Sequence, residues 1–386
     1  MRKYRSLVVG LVAALAVAVV PAAPAQAATT LPAADFRLKA TAYSGLIDDL
    51  DAALPNVSVP TVVRDGNRVA TTCSPAAANR VAAFCWNNGD DDVAYWVPQG
   101  ITTTADAYGE ATYEGATAVL VSWYDNGTDG VERGVRVSFV DYSAPSAPTY
   151  RHVLLVEPYA NSAGQASFRA VNLHAGGMFW YGHHLYVAAT GTGFRVFDLR
   201  HLWQTSTTNG SAIGRQADGS HQAYGYKYVL PQAFAYNQST TGGQAAIRFS
   251  FASLDRTSTP DSVVVGEYAN PGAGSRLFRF PIDYTDRMLA ESADGYARAT
   301  EAYDVSVQSM QGATAINGKY YLSTSDGSGN AGDLATFTPG GAVTMRHDVL
   351  PVGPEDFSYW PVKGQLWSLT EYAGNRSVFA VRASAY

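Results

Sequence analysis

One short phrase recurs along this chain and limits what it can fold into. Gly182-His-His-Leu-Tyr-Val-Ala aligns with Gly318-Lys-Tyr-Tyr-Leu-Ser-Thr and Gly364-Gln-Leu-Trp-Ser-Leu-Thr, and more loosely with Asp261-Ser-Val-Val-Val-Gly-Glu-Tyr and Ala116-Thr-Ala-Val-Leu-Val-Ser-Trp. Each copy leads through a polar or Gly-rich turn into an exit run such as Phe194-Arg-Val-Phe-Asp or Arg376-Ser-Val-Phe-Ala-Val. The fullest example is 174–203, where β-patterned runs at 178–181, 185–189 and 194–199 are cut by Gly182 and by the Gly191/Gly193 turn. That is the layout of an antiparallel meander. A fourth, outer run follows the first four copies at 152–157, 226–230, 300–305 and 343–350. The fifth copy has none before Tyr386, so a run from 59–86 is expected to complete it.

Repeated four-stranded units are the signature of a β-propeller. No such unit buries both of its faces alone, so the copies must close as one domain. The expectation is an all-β chain forming a single β-propeller, with five blades preferred and seven possible; a two-sheet sandwich is the competing architecture.

Ahead of the repeats, a basic start, an apolar run over 7–20 and Ala25-Gln26-Ala27 form the pattern of a cleaved secretory signal over residues 1–27. The run is shorter than the roughly 20 residues that span a bilayer. A secreted, extracellular protein with no membrane partner is therefore expected. Cys73 and Cys85 are the only cysteines, and in an exported chain they are expected to form a disulfide. Residues 28–94 are read as an N-terminal segment holding an amphipathic helix over 35–54, strand-like runs at 59–64 and 80–86, and the disulfide loop. The blades then occupy 95–386. Asp90-Asp91-Asp92 could hold a structural calcium, but it lacks ligands spaced two apart and reads as a solvated turn. No cofactor and no catalytic metal are expected, and the chain is expected to be a monomer.

A net charge of -6 argues against a nucleic-acid partner. Only 16% of residues are charged while 12% are aromatic, with 24 tyrosines. Such a surface suits hydroxyl-rich ligands, because rings offer apolar faces to sugars and phenols supply hydrogen bonds. A polysaccharide or oligosaccharide is the expected partner.

In a propeller the innermost strands line a central channel and their starts converge on one mouth. At the same offset ahead of the aligned glycines stand His174, Met310 with Gln311, and Asp356 with Glu355. Gln99 and the group Ser253, Asp255 and Arg256 are the counterparts in the other units. His174 is followed by Ala175, Gly176 and Gly177, and the two glycines permit close approach of backbone or ligand. It is the best single candidate for proton transfer. Arg248 either faces the channel, where it could hold a carboxylate, or packs between blades against an acid. His183 and His184 alternate faces and lack helical zinc spacing. The usual serine-hydrolase, zincin and nucleotide-loop motifs are missing from the sequence.

The order of a His-Ala-Gly-Gly turn, Gly-x-x-Leu-Tyr-Val-Ala, a Tyr-rich stretch at 221–228 and an Arg-bearing inner run resembles the propeller polysaccharide lyases, ulvan lyases among them, over residues 170–270. By that resemblance His174 and Tyr228 would handle protons while Arg248 neutralises a uronate, with His184 or His221 as a second imidazole. Those lyases have seven blades, and five copies are counted here. Five blades resemble instead the arabinanase and levansucrase type of glycosidase, in which Asp255, Glu355 and Asp356 would stand for the channel carboxylates. The leading expectation is a carbohydrate-active propeller that cleaves a uronate glycan by β-elimination, with His174, Tyr228 and Arg248 catalytic and His184, His221, Gln311, Glu355 and Asp356 in binding. A non-catalytic glycan- or protein-binding propeller and a glycosidase are the alternatives.

Overall fold

The computed structural model describes residues 27–270 and 274–386, so the expected signal over 1–27 lies, but for Ala27, outside the described residues. The repeats fold into five antiparallel four-stranded meanders arranged as a β-propeller. Meander I runs Trp96–Thr103, Ala118–Asp125, Val135–Asp141 and Thr149–Ala160, and meander II runs Met178–Tyr181, His184–Ala189, Gly193–Asp198 and Tyr228–Thr240. Meander III comprises Phe251–Asp255, Ser262–Gly266, Arg276–Pro281 and Glu301–Asp304. Meander IV comprises Met310–Ile316, Lys319–Thr324, Ala331–Phe337 and Thr344–Val352. Meander V takes three strands from the chain's end, Ser358–Trp360, Gln365–Leu369 and Ser377–Arg382, and its fourth, Arg80–Cys85, from near the start. The innermost strands touch in sequence and the fifth returns to the first, which closes the ring.

The segment before the repeats runs backward around the perimeter. Ala27 bridges Ala342 beside meander IV, Thr29–Thr30 extends meander III, and Phe36–Ala40 extends meander II. Arg68–Val69 then pairs with the outer strand of meander I before Arg80–Cys85 enters meander V. Each addition covers a sheet edge whose backbone groups would otherwise be unpaired.

Three expectations for this segment are corrected. The helix expected over 35–54 exists only as Ile47–Ala53. Phe36–Ala40 is a strand, because Phe36 and Leu38 are buried while Lys39 points out, and period two wins where an edge strand is available. Conversely, the strand expected at 59–64 is the helix Val59–Arg64. Ser58 caps it by accepting from the Thr61 N–H, Pro60 sits in the first turn, and Val59, Val62 and Val63 fall on one buried face. Asp90 is not a solvated loop residue either. It is buried in the short helix Asn88–Asp91, accepting from Arg136, His152 and Tyr150.

The disulfide Cys73–Cys85 ties the disulfide loop to the end of the ring-closing strand, at a sequence separation of 12. Closing a loop of that size contributes about 3 kcal/mol in the chain-entropy picture. The Cys73→Ser/Cys85→Ser variant is expected to lose about that much stability, read as a lower urea midpoint with an unchanged slope. A slope change would show that the closing strand detaches before the ring unfolds.

Candidate functional site

The inner strands all enter the ring from one end, and their leading residues surround a cavity of about 780 Å³. Its wall includes Gln99, His174, Arg248, Ser250, Gln311 and Glu371. The far end of the channel is shut by the helix Thr104–Tyr108, four of whose five residues are buried. Gly182 donates to the Ala107 carbonyl at 2.7 Å, and the Arg256 guanidinium binds the Asp106 carbonyl. The channel is therefore a cup, and a ligand meets the protein at one mouth.

Local sequence explains how His174 and Arg248 come together. A Cβ on Gly176 would collide with the Ser250 carbonyl, and one on Gly177 with the backbone of Phe251 and Ala252. The bare backbone of the 174–177 turn thus lies directly on the start of meander III's inner strand. On that strand's approach, Glu267 accepts from the Arg248 N–H at 2.7 Å and grips Arg276 with the same carboxylate. The Arg248 side chain is exposed and has no hydrogen-bonding or ion-pair partner among the described residues. His174 stacks on Tyr124, with ring centroids 4.4 Å apart and planes at 26°. His174 is exposed at the mouth, but Tyr124 and the cavity wall remove part of the water around its ring. That desolvation, with the positive charge of Arg248 added, holds its pKa below the ordinary histidine value, so the imidazole is neutral at pH 7.

Two carboxyl groups meet beside the cavity. Glu355 is fully buried, and burial together with the nearby Glu371 and Asp356 raises its pKa well above the ordinary value. When it carries its proton it donates to Glu371, whose own pKa is raised by burial and moderated by donors that include Tyr372, Gln99 and Glu355. The Gln99 amide reaches Glu371 at 3.2 Å. Burial and these two acids push the Tyr124 phenol up to about 12. Asp356 lies deeper, accepting from the backbone N–H of Ile101 at 3.2 Å and of Met178 at 3.1 Å, and burial raises its pKa as well.

Of the residues singled out from the sequence, His174, Arg248, Gln311 and Gln99 line the mouth. Glu355 and Asp356 point toward the same axis but are sealed from ligand. The others lie elsewhere, which corrects the sequence reading. Tyr228 donates to Asp65 on the perimeter at 2.8 Å, because the outer strand that begins there pairs with meander I before it reaches meander II. His184 is at the opposite end of its strand from the mouth, beside Asp198. His221 is in a short outer hairpin, stacked on Phe168. Ser253, Asp255 and Arg256 run down the inner strand away from the mouth. Ser253 donates to the Ala313 carbonyl, Asp255 pairs with Arg279, and Arg256 pairs with Asp261. Ser250 holds the mouth position instead.

Sequence reasoning missed Glu371, Tyr372, Tyr268 and Ser325, all on the cavity wall. Each lies one to three residues past the end of the second strand of its meander. In an antiparallel pair the end of the second strand lies beside the start of the first, so the aligned exits Glu267-Tyr268 and Glu371-Tyr372 held the signal.

Comparison with known proteins finds no matching family model and no matching curated protein. Among solved structures, the GH43_1 enzyme from Xanthomonas citri complexed with xylotriose is 13% identical, with 87% of this chain and 92% of that chain covered at a TM-score of 0.33. RS223-β-xylosidase is 12% identical, over 76% of this chain and 93% of that one, at 0.33. The β-propeller domain of Myceliophteria thermophila Cps50 (Swd1) is 10% identical, over 82% and 98%, at 0.31. Likenesses at this level are too slight to transfer a residue or a reaction.

Because Glu355 binds its proton more tightly folded than unfolded, stability falls as pH rises above the ordinary glutamate range. Glu355→Gln keeps the donor to Glu371 and removes that titration. Thermal melts from pH 5 to pH 9 should show a shallower decline for the variant, with its gain over the parent growing toward alkaline pH. Parallel curves would mean that Glu355 does not hold the proton.

Proposed function

We propose that the mouth of this propeller binds an acidic glycan and cleaves it by β-elimination. The observation that carries this reading is the guanidinium of Arg248, unpaired among the described residues, sharing one cavity with a neutral His174. Arg248 would hold a uronate carboxylate and stabilise the negative charge that develops when the adjacent carbon loses its proton. His174, neutral and stacked on Tyr124, is the base. The proton for the leaving oxygen would come from a cavity phenol, Tyr372 or Tyr268, which take the place of Tyr228. Burial raises the pKa of Tyr372, so it is protonated at neutral pH. The remaining wall is mostly amide and hydroxyl, suited to the hydroxyl groups of flanking sugars.

The Glu371 carboxyl supports a second reading. It is the glutamate on the cavity wall, and Glu355 behind it supplies a proton. Glycoside hydrolysis uses two carboxyls that flank the scissile bond, and Asp326 on the same wall would be the second.

Export is also proposed. The basic start, apolar run and Ala25-Gln26-Ala27 site support it, as does the Cys73–Cys85 disulfide, which persists in oxidising compartments.

A panel of uronate polysaccharides, followed by near-ultraviolet absorbance of the unsaturated uronyl end, tests the reading. His174→Ala is expected to lower kcat by about 10²–10⁴-fold, the usual worth of a positioned base, without changing thermal unfolding. Arg248→Gln should raise KM and lower kcat together. Activity should fall only below the ordinary histidine range, since His174 titrates there. Reducing ends released without the chromophore, and abolished by Glu371→Gln, would replace elimination by hydrolysis. Retention of a glycan with neither product would leave a binding module.

A further inference from the structure

A second cavity, of about 320 Å³, lies on the perimeter away from the mouth. It opens where three elements cross the outer strands of meander I: the perimeter strand Arg68–Val69, the loop ahead of Trp96, and the turn from Tyr224 to Lys227. Four cations line it, Arg68, Arg136, Arg151 and Lys227, in a chain whose net charge is -6. Two carboxylates answer them, Asp90 in the wall and Asp65 behind.

Much of the donor capacity here is unused. Arg136 is 4% exposed, held by Asp90 at 2.9 Å and lying over the rings of Trp96 and Trp123. Its Nε is buried with no acceptor among the described residues. Arg68 approaches Asp90 only at 3.5 Å. Arg151 directs its Nε at Asp65, and its terminal nitrogens have no acceptor among the described residues. Asp90 is spread over Arg136, His152 and Tyr150. Burial opposes its ionisation, but those hydrogen bonds and charges outweigh burial and hold it below the ordinary carboxylate range. His152, buried and beside Arg136, is pushed down to about 3 and adds no charge.

We propose that this cavity binds a tetrahedral oxyanion, the sulfate or phosphate group of a small ester. Guanidinium forks from separate elements, a lysine at the rim and small volume suit a compact polyoxygen anion better than a peptide. The phenols of Tyr95 and Tyr226 supply walls for the group that bears the anion. The site is independent of Arg248 and of the reaction at the mouth.

Calorimetric titration of the full chain with inorganic sulfate and inorganic phosphate at low ionic strength tests this, done in an Arg248→Gln background so that the mouth contributes no unpaired cation. One saturable site is expected. Arg68→Gln/Lys227→Gln should weaken it at least ten-fold, and both side chains are about one-third exposed, so the fold is not at stake. Glucose 6-sulfate and glucose 6-phosphate then distinguish the sources, and tighter binding of either supports the site. Lack of saturable binding by both inorganic anions overturns it, as does binding that the double substitution leaves unchanged.

Discussion

Everything at the mouth depends on one strand pairing far from it in sequence. Arg80–Cys85 must dock against Ser377–Arg382 before meander V has its fourth strand. Until then meander V lacks its outer strand, and the closure of the ring rests on its inner strands against meander I alone. The pairing spans about three-quarters of the chain, so loop closure makes it a costly contact to form. The perimeter segment lowers that cost, because successive pairings along meanders IV, III, II and I lead the chain to the gap. Burial completes the closure. Phe84 and Trp86 enter a core with Trp123, Tyr142 and Tyr150, which joins meanders I and V.

The repeat was legible because its strands are buried on both faces and their turns need glycine, so the pattern survives wherever the fold requires it. Gln311 and His174 were found by their shared offset from those turns. Arg248 was found as a lone cation among Ile247, Phe249 and Phe251, all of which are buried. What failed was the direction of travel. Ser253, Asp255 and Arg256 were placed at the mouth, although each step along the strand carries a residue farther down the channel. Tyr228 and His221 were misplaced for another reason. The insertion between the third and fourth strands of meander II leaves the ring, pairs with meander I and the Asn56–Val57 strand, and only then returns. No local pattern records such an excursion. The helix at Val59–Arg64 was masked by its β-branched residues, although Ser58 and Pro60 gave a start signal.

Buried acids at the axis set the charge that a ligand meets. Asp356 belongs to meander V, yet its carboxyl takes N–H groups from the inner strands of meanders I and II. One side chain thereby ties together units whose strand starts would otherwise leave donors unpaired in the interior. An ionised carboxylate there would need more than amide donors to offset desolvation, and none of its partners is a cation. The same holds for Glu355, whose nearest charged neighbours are other acids. Burial therefore holds both above the ordinary carboxylate range.

A neutral floor has a consequence for an acidic ligand. Were Glu355 and Asp356 ionised, two negative charges beneath the cup would oppose the attraction of Arg248, and an anion would gain little by entering. Where both carry their protons, the charged side chains left on the cavity wall are Arg248, Glu371 and Asp326. A carboxylate is then drawn to one edge of the cup. That edge also carries His174, because Gly176 and Gly177 seat its turn against the strand that Arg248 precedes. The geometry that positions the base thus also positions the charge that would make a neighbouring C–H acidic. Raising the pH far enough to ionise Glu355 would undo this arrangement and the stability of the ring together.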